Sequence, residues 1–254
     1  MPAHKILYFD VETAPYLAQT WSKWVDGPVV AIERDWNLLC IAWQWEGERK
    51  VHVESLRGLD PFDDKPLLDR LWGLFDKADI VIGHNGNRFD IPKVQARFLL
   101  EGYEPPSPFD SIDTLQVLRR HFKGGLRSNK LDEVCQQLHI GGKVQHTGFS
   151  LWQGCMRGDD ASWKLMERYN KVDIDLLRNL YLKIRGWQTS HPIVSVTGCP
   201  VCGSDHFQSR GTKRRKTATY AQYQCQNPTC KAWFCSISSV PEADKPAFKP
   251  AVRR

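Results

Sequence analysis

The apolar pattern begins with Ile6-Leu7-Tyr8-Phe9, four residues that read as a strand buried on both faces, as at the centre of an α/β sheet. Leu38 to Trp45 (LLCIAWQW) reads as a second strand, Gly47 as a turn, and Val51-His52-Val53 as the alternating start of a third. Leu67, Leu68, Leu71, Leu74 and Phe75 recur at helical spacing, and Asp79-Ile80-Val81-Ile82-Gly83 is another short buried strand. Val94, Phe98 and Leu99 then mark a helix, and the run from Asp110 to Leu115 enters the next one. Asn129 to Asp132 opens a helix with core positions at Leu131, Val134, Cys135 and Leu138, which Gly141-Gly142 is expected to end. The last long helix is predicted from about Ala161 to Ile184, with Leu176, Leu177 and Leu180 on its buried side. Residues Ala14 to Trp36, with Pro15, Gly27, Pro28 and three Trp, have no period and read as an irregular flap. Strands alternating with helices predict an α/β layer with a mixed sheet.

Composition adds a second, smaller part to this picture. A chain of 254 residues, 41% hydrophobic and 25% charged, can bury one full core plus a small module. It has no apolar run of bilayer length and no signal-peptide pattern, so a soluble, cytoplasmic protein is expected. Its eight cysteines are then expected to be thiols or metal ligands rather than disulfides. Residues 186–254 hold ten basic and three acidic residues, a surplus of seven positive charges, while residues 1–185 are near neutral. A basic tail on a neutral body points to a polyanionic partner, with nucleic acid the usual one.

The candidate chemistry starts where the first strand ends. Asp10 and Glu12 are two apart on that strand, so both side chains point to one face. Two acids side by side at a buried strand end are costly unless a cation sits between them, and hard divalent ions prefer such oxygens. Asp90, in His84-Asn85-Gly86-Asn87-Arg88-Phe89-Asp90-Ile91-Pro92, is expected to cap a helix at the carboxyl end of the sheet, where sites concentrate in open α/β folds. Asp113 reads as a cap, or as a residue that supports the ligands from behind, rather than as a ligand itself. Tyr169 and Asp173 lie four apart on the last helix and share a face.

Asp10 and Glu12 in FDVET, Asp90 in HNGNRFDIP, and Tyr169 and Asp173 in YNKVD resemble, in order and context, the DEDD exonuclease superfamily on the ribonuclease-H-like (DnaQ-like) fold. The Tyr-x-x-x-Asp ending places the likeness in the tyrosine subgroup. With NKLDEVCQQL, the wording looks closest to the proofreading domains of family B DNA polymerases and their stand-alone relatives, over about residues 5–185. The resemblance implies a 3′-to-5′ exonuclease acting on DNA ahead of RNA, as a monomer, with a separate polymerase as a conceivable partner. Four carboxylates can hold two Mg²⁺ or Mn²⁺ for an in-line displacement, with Asp10 bridging both ions. An unperturbed Tyr has a pKa near ~10, so Tyr169 is expected to orient the attacking water rather than act as a strong base. An exoribonuclease with the same site, or a nucleic-acid-binding adaptor with an idle site, are the alternatives.

The cysteines supply the second module. Cys199-Pro200-Val201-Cys202-Gly203 is a knuckle, and Cys225 and Cys230 follow with hairpin-like sequence between. Two such pairs are the pattern of a structural zinc ribbon holding one Zn²⁺ on four thiolates. The second pair is wider than usual, which keeps Cys235 as an alternative ligand. Between the pairs, Lys213, Arg214, Arg215 and Lys216 form a basic hairpin tip followed by Tyr220 and Tyr223, which suits phosphates and stacked bases. The expected organisation is therefore a nuclease domain over residues 1–190, a zinc ribbon over 191–240 and a disordered basic tail over 241–254.

Overall fold

The structure is a computed structural model that describes residues 4–24, 27–188, 190–215 and 218–239. The chain divides into two units, Met1–Ile184 and Arg185–Arg254.

The first unit is built around β1 (Ile6–Thr13), whose first four residues are buried as the apolar run predicts. After it, β2 (Leu17–Gln19) and β3 (Ala31–Arg34) pair as a short antiparallel hairpin, where the sequence pattern showed only an irregular stretch. The hairpin was invisible because its strands are exposed and so carry no apolar alternation. β4 (Leu38–Trp45) and β5 (His52–Ser55) follow as an antiparallel pair, with His52 stacked on Trp43 directly opposite. In α1 (Lys65–Phe75) the buried positions are the five that repeat at helical spacing, and Phe75 packs edge-on against Phe9. β6 (Ile80–Gly83) leads into α2 (Asp90–Leu100).

β7 (Asp110–Asp113) corrects the reading of that run as a helix entry. It pairs in parallel with β6, and the helix α3 (Thr114–His121) starts one residue later. Asp113 caps that helix as expected, accepting from the Leu115 N–H at 3.0 Å. α4 (Leu131–Gln137) ends earlier than Gly141-Gly142, because His139 takes a left-handed φ of 55° and turns the chain away. α5 (Phe149–Met156) has no strong sequence signal; only Leu151 and Cys155 of it are buried. α6 (Asp160–Ile184) is the long helix the pattern predicts.

The five-stranded sheet runs β5-β4-β1-β6-β7, with β1 antiparallel to β4 and parallel to β6. Alternation along β1 sends Phe9 to the α1 side and Tyr8 to the α6 side, where its ring meets Tyr181 at 5.8 Å. Asp10 and Glu12 share the parity of Tyr8, so they too address α6. This is a mixed α/β sheet flanked by helices, as expected. Among the described residues no helix is long and apolar enough to cross a membrane.

In the second unit a turn at Arg185–Trp187 comes first. Arg185 donates to the Thr229 carbonyl at 3.1 Å and to its hydroxyl at 2.8 Å. The strands β8 (Phe207–Arg214), β9 (Thr219–Cys225) and β10 (Trp233–Cys235) form an antiparallel sheet ordered β10-β9-β8. The tail 241–254 and Lys216 lie outside the described residues.

Candidate functional site

β1 and α6 supply the acids. Carboxylate oxygens of Asp10, Glu12 and Asp173 all lie within 4.8 Å of one another. The pairing of β1 with β4 shifts register between Glu12 and Thr13, so the strand breaks its ladder beside these acids. On α6 the buried stripe of apolar residues is interrupted by Tyr169, Asn170 and Asp173, and these three face the β1 acids.

The acids are held where negative charge is disfavoured. Burial pushes the Glu12 carboxyl up to about 8, with Asp173 adding to it. Asp10 is raised well above its ordinary value by burial first, then by Asp90, Asp173 and Glu12. Burial also raises Asp173, although Lys143 opposes it. Asp90 is pushed up to about 7 by burial, against the pull of the Val11 backbone N–H. Asp90 is the first residue of α2, not its cap, and stands outside the trio that shares ligand distance. Its tie to the site is that N–H of β1 and its charge next to Asp10. Gly86, in the turn before Asp90, packs closely on the end of β6: a Cβ there would sit 3.3 Å from Gly83 Cα.

Side chains that sequence pattern did not single out hold this arrangement. Lys143 Nζ donates to Asp173 Oδ2 and, at 2.9 Å, to the Tyr169 hydroxyl. The Tyr169 hydroxyl in turn bonds Asp173. Burial works against the Lys143 ammonium, but Asp173 and Tyr169 outweigh it and its pKa rises. Burial and Asp173 raise Tyr169, so it stays a phenol at neutral pH. Asn170 Nδ2 donates to Asp10 Oδ2 at 2.6 Å, and Trp152 of α5 bonds Glu12. His146 packs edge-on against Tyr169 with ring centres 4.9 Å apart. Asn170 had one signal, a polar residue beside Tyr169 on a buried stripe; Lys143 and Trp152 had none. The site opens into a cleft of about 800 Å³ lined by Asp10, Asn85, Arg119, Lys143, Tyr169 and Asp173, among others.

The donor set fits a divalent cation. Three carboxyls converge, their charge is disfavoured by burial and mutual repulsion, and Asp173 Oδ1 is buried without a hydrogen-bond partner. Hard oxygen ligands of this kind suit Mg²⁺ or Mn²⁺.

The second unit gathers a different set. Sγ atoms of Cys199, Cys202, Cys225 and Cys230 lie within 4.8 Å of one another, with Cys199 to Cys230 at 3.9 Å and Cys202 to Cys225 at 3.6 Å. Asn227 turns the chain within the wide second pair and ties it to the first: its carbonyl accepts the Cys230 N–H at 3.0 Å and its Nδ2 donates to Cys202 Sγ at 3.7 Å. Cys235 lies opposite Gln222 on β10 and outside the cluster, which sets it aside as a ligand. Four soft sulfurs at this spacing fit a zinc module. At the hairpin tip Lys213 is opposite Tyr220 and Arg215 lies over the Tyr220 ring at 5.5 Å. Tyr223 packs against Phe207 and Phe234, with ring centres at 5.5 and 5.6 Å.

Comparison with known proteins agrees with this geometry. No curated protein matches the chain. Among solved structures, the family B DNA polymerase from the hyperthermophilic archaeon Pyrobaculum calidifontis is similar, with a TM-score of 0.53 at 18% identity. The likeness covers 79% of this chain but only 26% of that polymerase, and it is a likeness of fold. A family model described as RNase_H superfamily matches residues 33–185, more than half of the chain. The match begins after β1, so Asp10 and Glu12 stand in the site on the geometry alone. The acid cluster at the central strand, the mixed sheet around it and this match agree: the chain belongs to the RNase_H superfamily, whose fold supports nuclease activity.

Proposed function

We propose that the chain is a metal-dependent 3′-to-5′ exonuclease that acts on DNA, at single-stranded or frayed ends. The observation that carries this reading is the convergence of Asp10, Glu12 and Asp173 beside a Tyr169 bonded to Lys143, with Asp90 one strand away. These four acids would hold two Mg²⁺ or Mn²⁺, which when bound supply Lewis-acid activation of water and neutralise the leaving 3′ oxygen. The protein's own groups set the geometry. Asn170 and Trp152 orient Asp10 and Glu12 through single hydrogen bonds. Lys143 fixes the Tyr169 phenol and the Asp173 carboxylate together, so Tyr169 presents a hydroxyl that positions the attacking water. In the second unit, Cys199, Cys202, Cys225 and Cys230 would hold one structural Zn²⁺, and Lys213, Arg214, Arg215 and Lys216 with Tyr220 would grip the substrate.

Digestion of DNA and RNA strands labelled at the 3′ or the 5′ end, with Mg²⁺ or Mn²⁺, tests the reading. The expected result is stepwise loss of the 3′ label from DNA. Faster loss from RNA would replace the substrate, and no hydrolysis of either would leave a binding adaptor. Neutralising Lys213, Arg214, Arg215 and Lys216 together should flatten the plot of log affinity against log salt by roughly 1 to 3 units. An unchanged slope would remove the ribbon from substrate binding.

A further inference from the structure

The positive charge of the chain is not all in the second unit. From Thr114 to Leu131 the chain holds five cations, Arg119, Arg120, Lys123, Arg127 and Lys130, and no Asp or Glu. The run begins in the last turn of α3 and crosses to the start of α4. Its two ends reach the catalytic cleft: Arg119 and Lys130 line it together with Asp10, Tyr169 and Asp173. Arg120, Lys123 and Arg127 lie between them and are exposed.

Two ordinary explanations fall short. Basic residues in a helix's last turn complement its dipole, which would account for Arg119 and Arg120. Lys123, Arg127 and Lys130 lie past the end of α3. Surface cations also commonly serve ion pairs, as Arg57, Arg70 and Arg97 of this unit do. Among the described residues, none of the five cations of the run is in an ion pair. The segment is also fixed in place, since the Arg127 N–H donates to Gln137 Oε1 at 3.2 Å and His84 bonds the Asn129 carbonyl at 3.0 Å. Unpaired cations on an anchored run that starts and ends in one cleft are positioned for a chain of phosphates.

We propose that Arg120, Lys123 and Arg127, continuing from Arg119, form a phosphate track on which the nuclease unit holds several nucleotides of a single strand leading away from the site. The proposal rests on the nuclease reading for the identity of the polyanion. It assigns to the first unit a grip that net charge would place only in the second.

The test uses the full chain without added Mg²⁺ or Mn²⁺, so that binding is read without cleavage and the thiolate cluster keeps its metal. Affinities for oligodeoxynucleotides of graded length, from 3 to 12 nucleotides, are measured across a salt series. The variant R120Q/K123Q/R127Q is compared with K50Q/R168Q/K171Q, which removes the same charge from a separate groove of about 650 Å³ whose charged lining is Lys50, Glu54, Lys164, Glu167, Arg168 and Lys171. Each phosphate contact contributes a slope of ~0.7 for single strands, so the track variant should lose about 2 units and bind the longest strand roughly tenfold more weakly at low salt. Its deficit should grow with strand length, and the groove variant should lose under about 0.5 units. Arg127→Gln alone should lose ~0.7, which reads the track without triple substitution. Equal losses in both triple variants would reduce the effect to net charge and overturn the track, as would an unchanged slope or a deficit independent of length. A separate digestion by the wild-type chain in Mg²⁺ reads the nuclease proposal. If the predicted slopes appear and nothing is cleaved, the nuclease reading fails while the track is supported.

Discussion

The two candidate metal sites of this chain are opposite solutions to one electrostatic problem. In the first unit three acids are brought together from residues 10, 12 and 173, by a central strand and a long helix whose packing depends on neutral residues. In the second unit four thiols come from two short turns between residues 199 and 230, and the cluster is itself most of the core: its buried members are Cys199, Val201, Cys225, Cys230 and Ala232. The difference teaches where each metal's binding energy goes. The carboxylate site is imposed on a core that exists without it, so a cation there serves chemistry. The thiolate site has little apolar core beneath it, so a metal bound there would supply folding energy.

The largest effect expected from breaking this contrast is on hydrolysis. Asp10→Ala should lower the metal-dependent rate by at least about 10³-fold while leaving thermal stability in chelator unchanged or higher, because one repelling carboxylate is gone. Asp173→Ala should be equally inactive but less stable by about 1–3 kcal/mol, since Lys143 loses its partner in a half-buried setting. Steady-state digestion and calorimetry measure both. A wild-type rate in Asp10→Ala would remove the site assignment.

Cys199→Ser should strip the zinc, about one ion per chain in the wild type, and unfold the second unit while the first keeps its melting transition. Cys235→Ser should keep a full complement. Elemental analysis with a melting curve distinguishes the two, and the reverse metal contents would reassign the fourth ligand.

A smaller effect is expected from the phenol. Tyr169→Phe removes the hydroxyl that bonds both Lys143 and Asp173, which stay paired directly, and should slow hydrolysis by roughly 10- to 100-fold without abolishing it. Loss as complete as in Asp10→Ala would give Tyr169 a role in the proton transfer itself.

The smallest effect sharpens the comparison through pH. Glu12 and Asp90 move from 4.5 and 3.8 to about 8 and about 7 on folding, so the metal-free folded state binds more protons than the unfolded state between those values. Stability in chelator should therefore fall as pH rises through this range. His84, lowered from 6.5 to about 4, contributes the opposite slope below its unfolded value, so the clean window is pH 6.5 to 8. Melting temperatures in chelator should drop by a few degrees across it. Added Mg²⁺ should stabilise more at pH 8 than at pH 6.5, because it binds the deprotonated acids. A chelator curve that rises across the window would mean the acids are not held as the structure shows.

By itself the sequence determined the elements whose signal is local. The apolar run before Asp10, the spacing of Leu67 to Phe75, the long stripe ending at Ile184 and the two cysteine pairs each follow from a period or turn chemistry within a few residues. The acids were legible for the same reason: a carboxylate on a buried strand end, or on the apolar face of a helix, contradicts its surroundings. Only the tertiary structure decided the partners. Lys143 follows a glycine pair with no period around it, and its meaning appears only when α6 brings Tyr169 and Asp173 within reach. Trp152 sits on a helix with two buried residues, and β7 reads as polar because only Ile112 and Asp113 of it are buried. Cys235 could be set aside only when β9 and β10 were paired. The physical reason is common to these cases. Periodicity records which face of an element is buried, whereas a buried charge is stabilised by whatever side chain arrives from elsewhere in the chain, and no local pattern encodes that arrival.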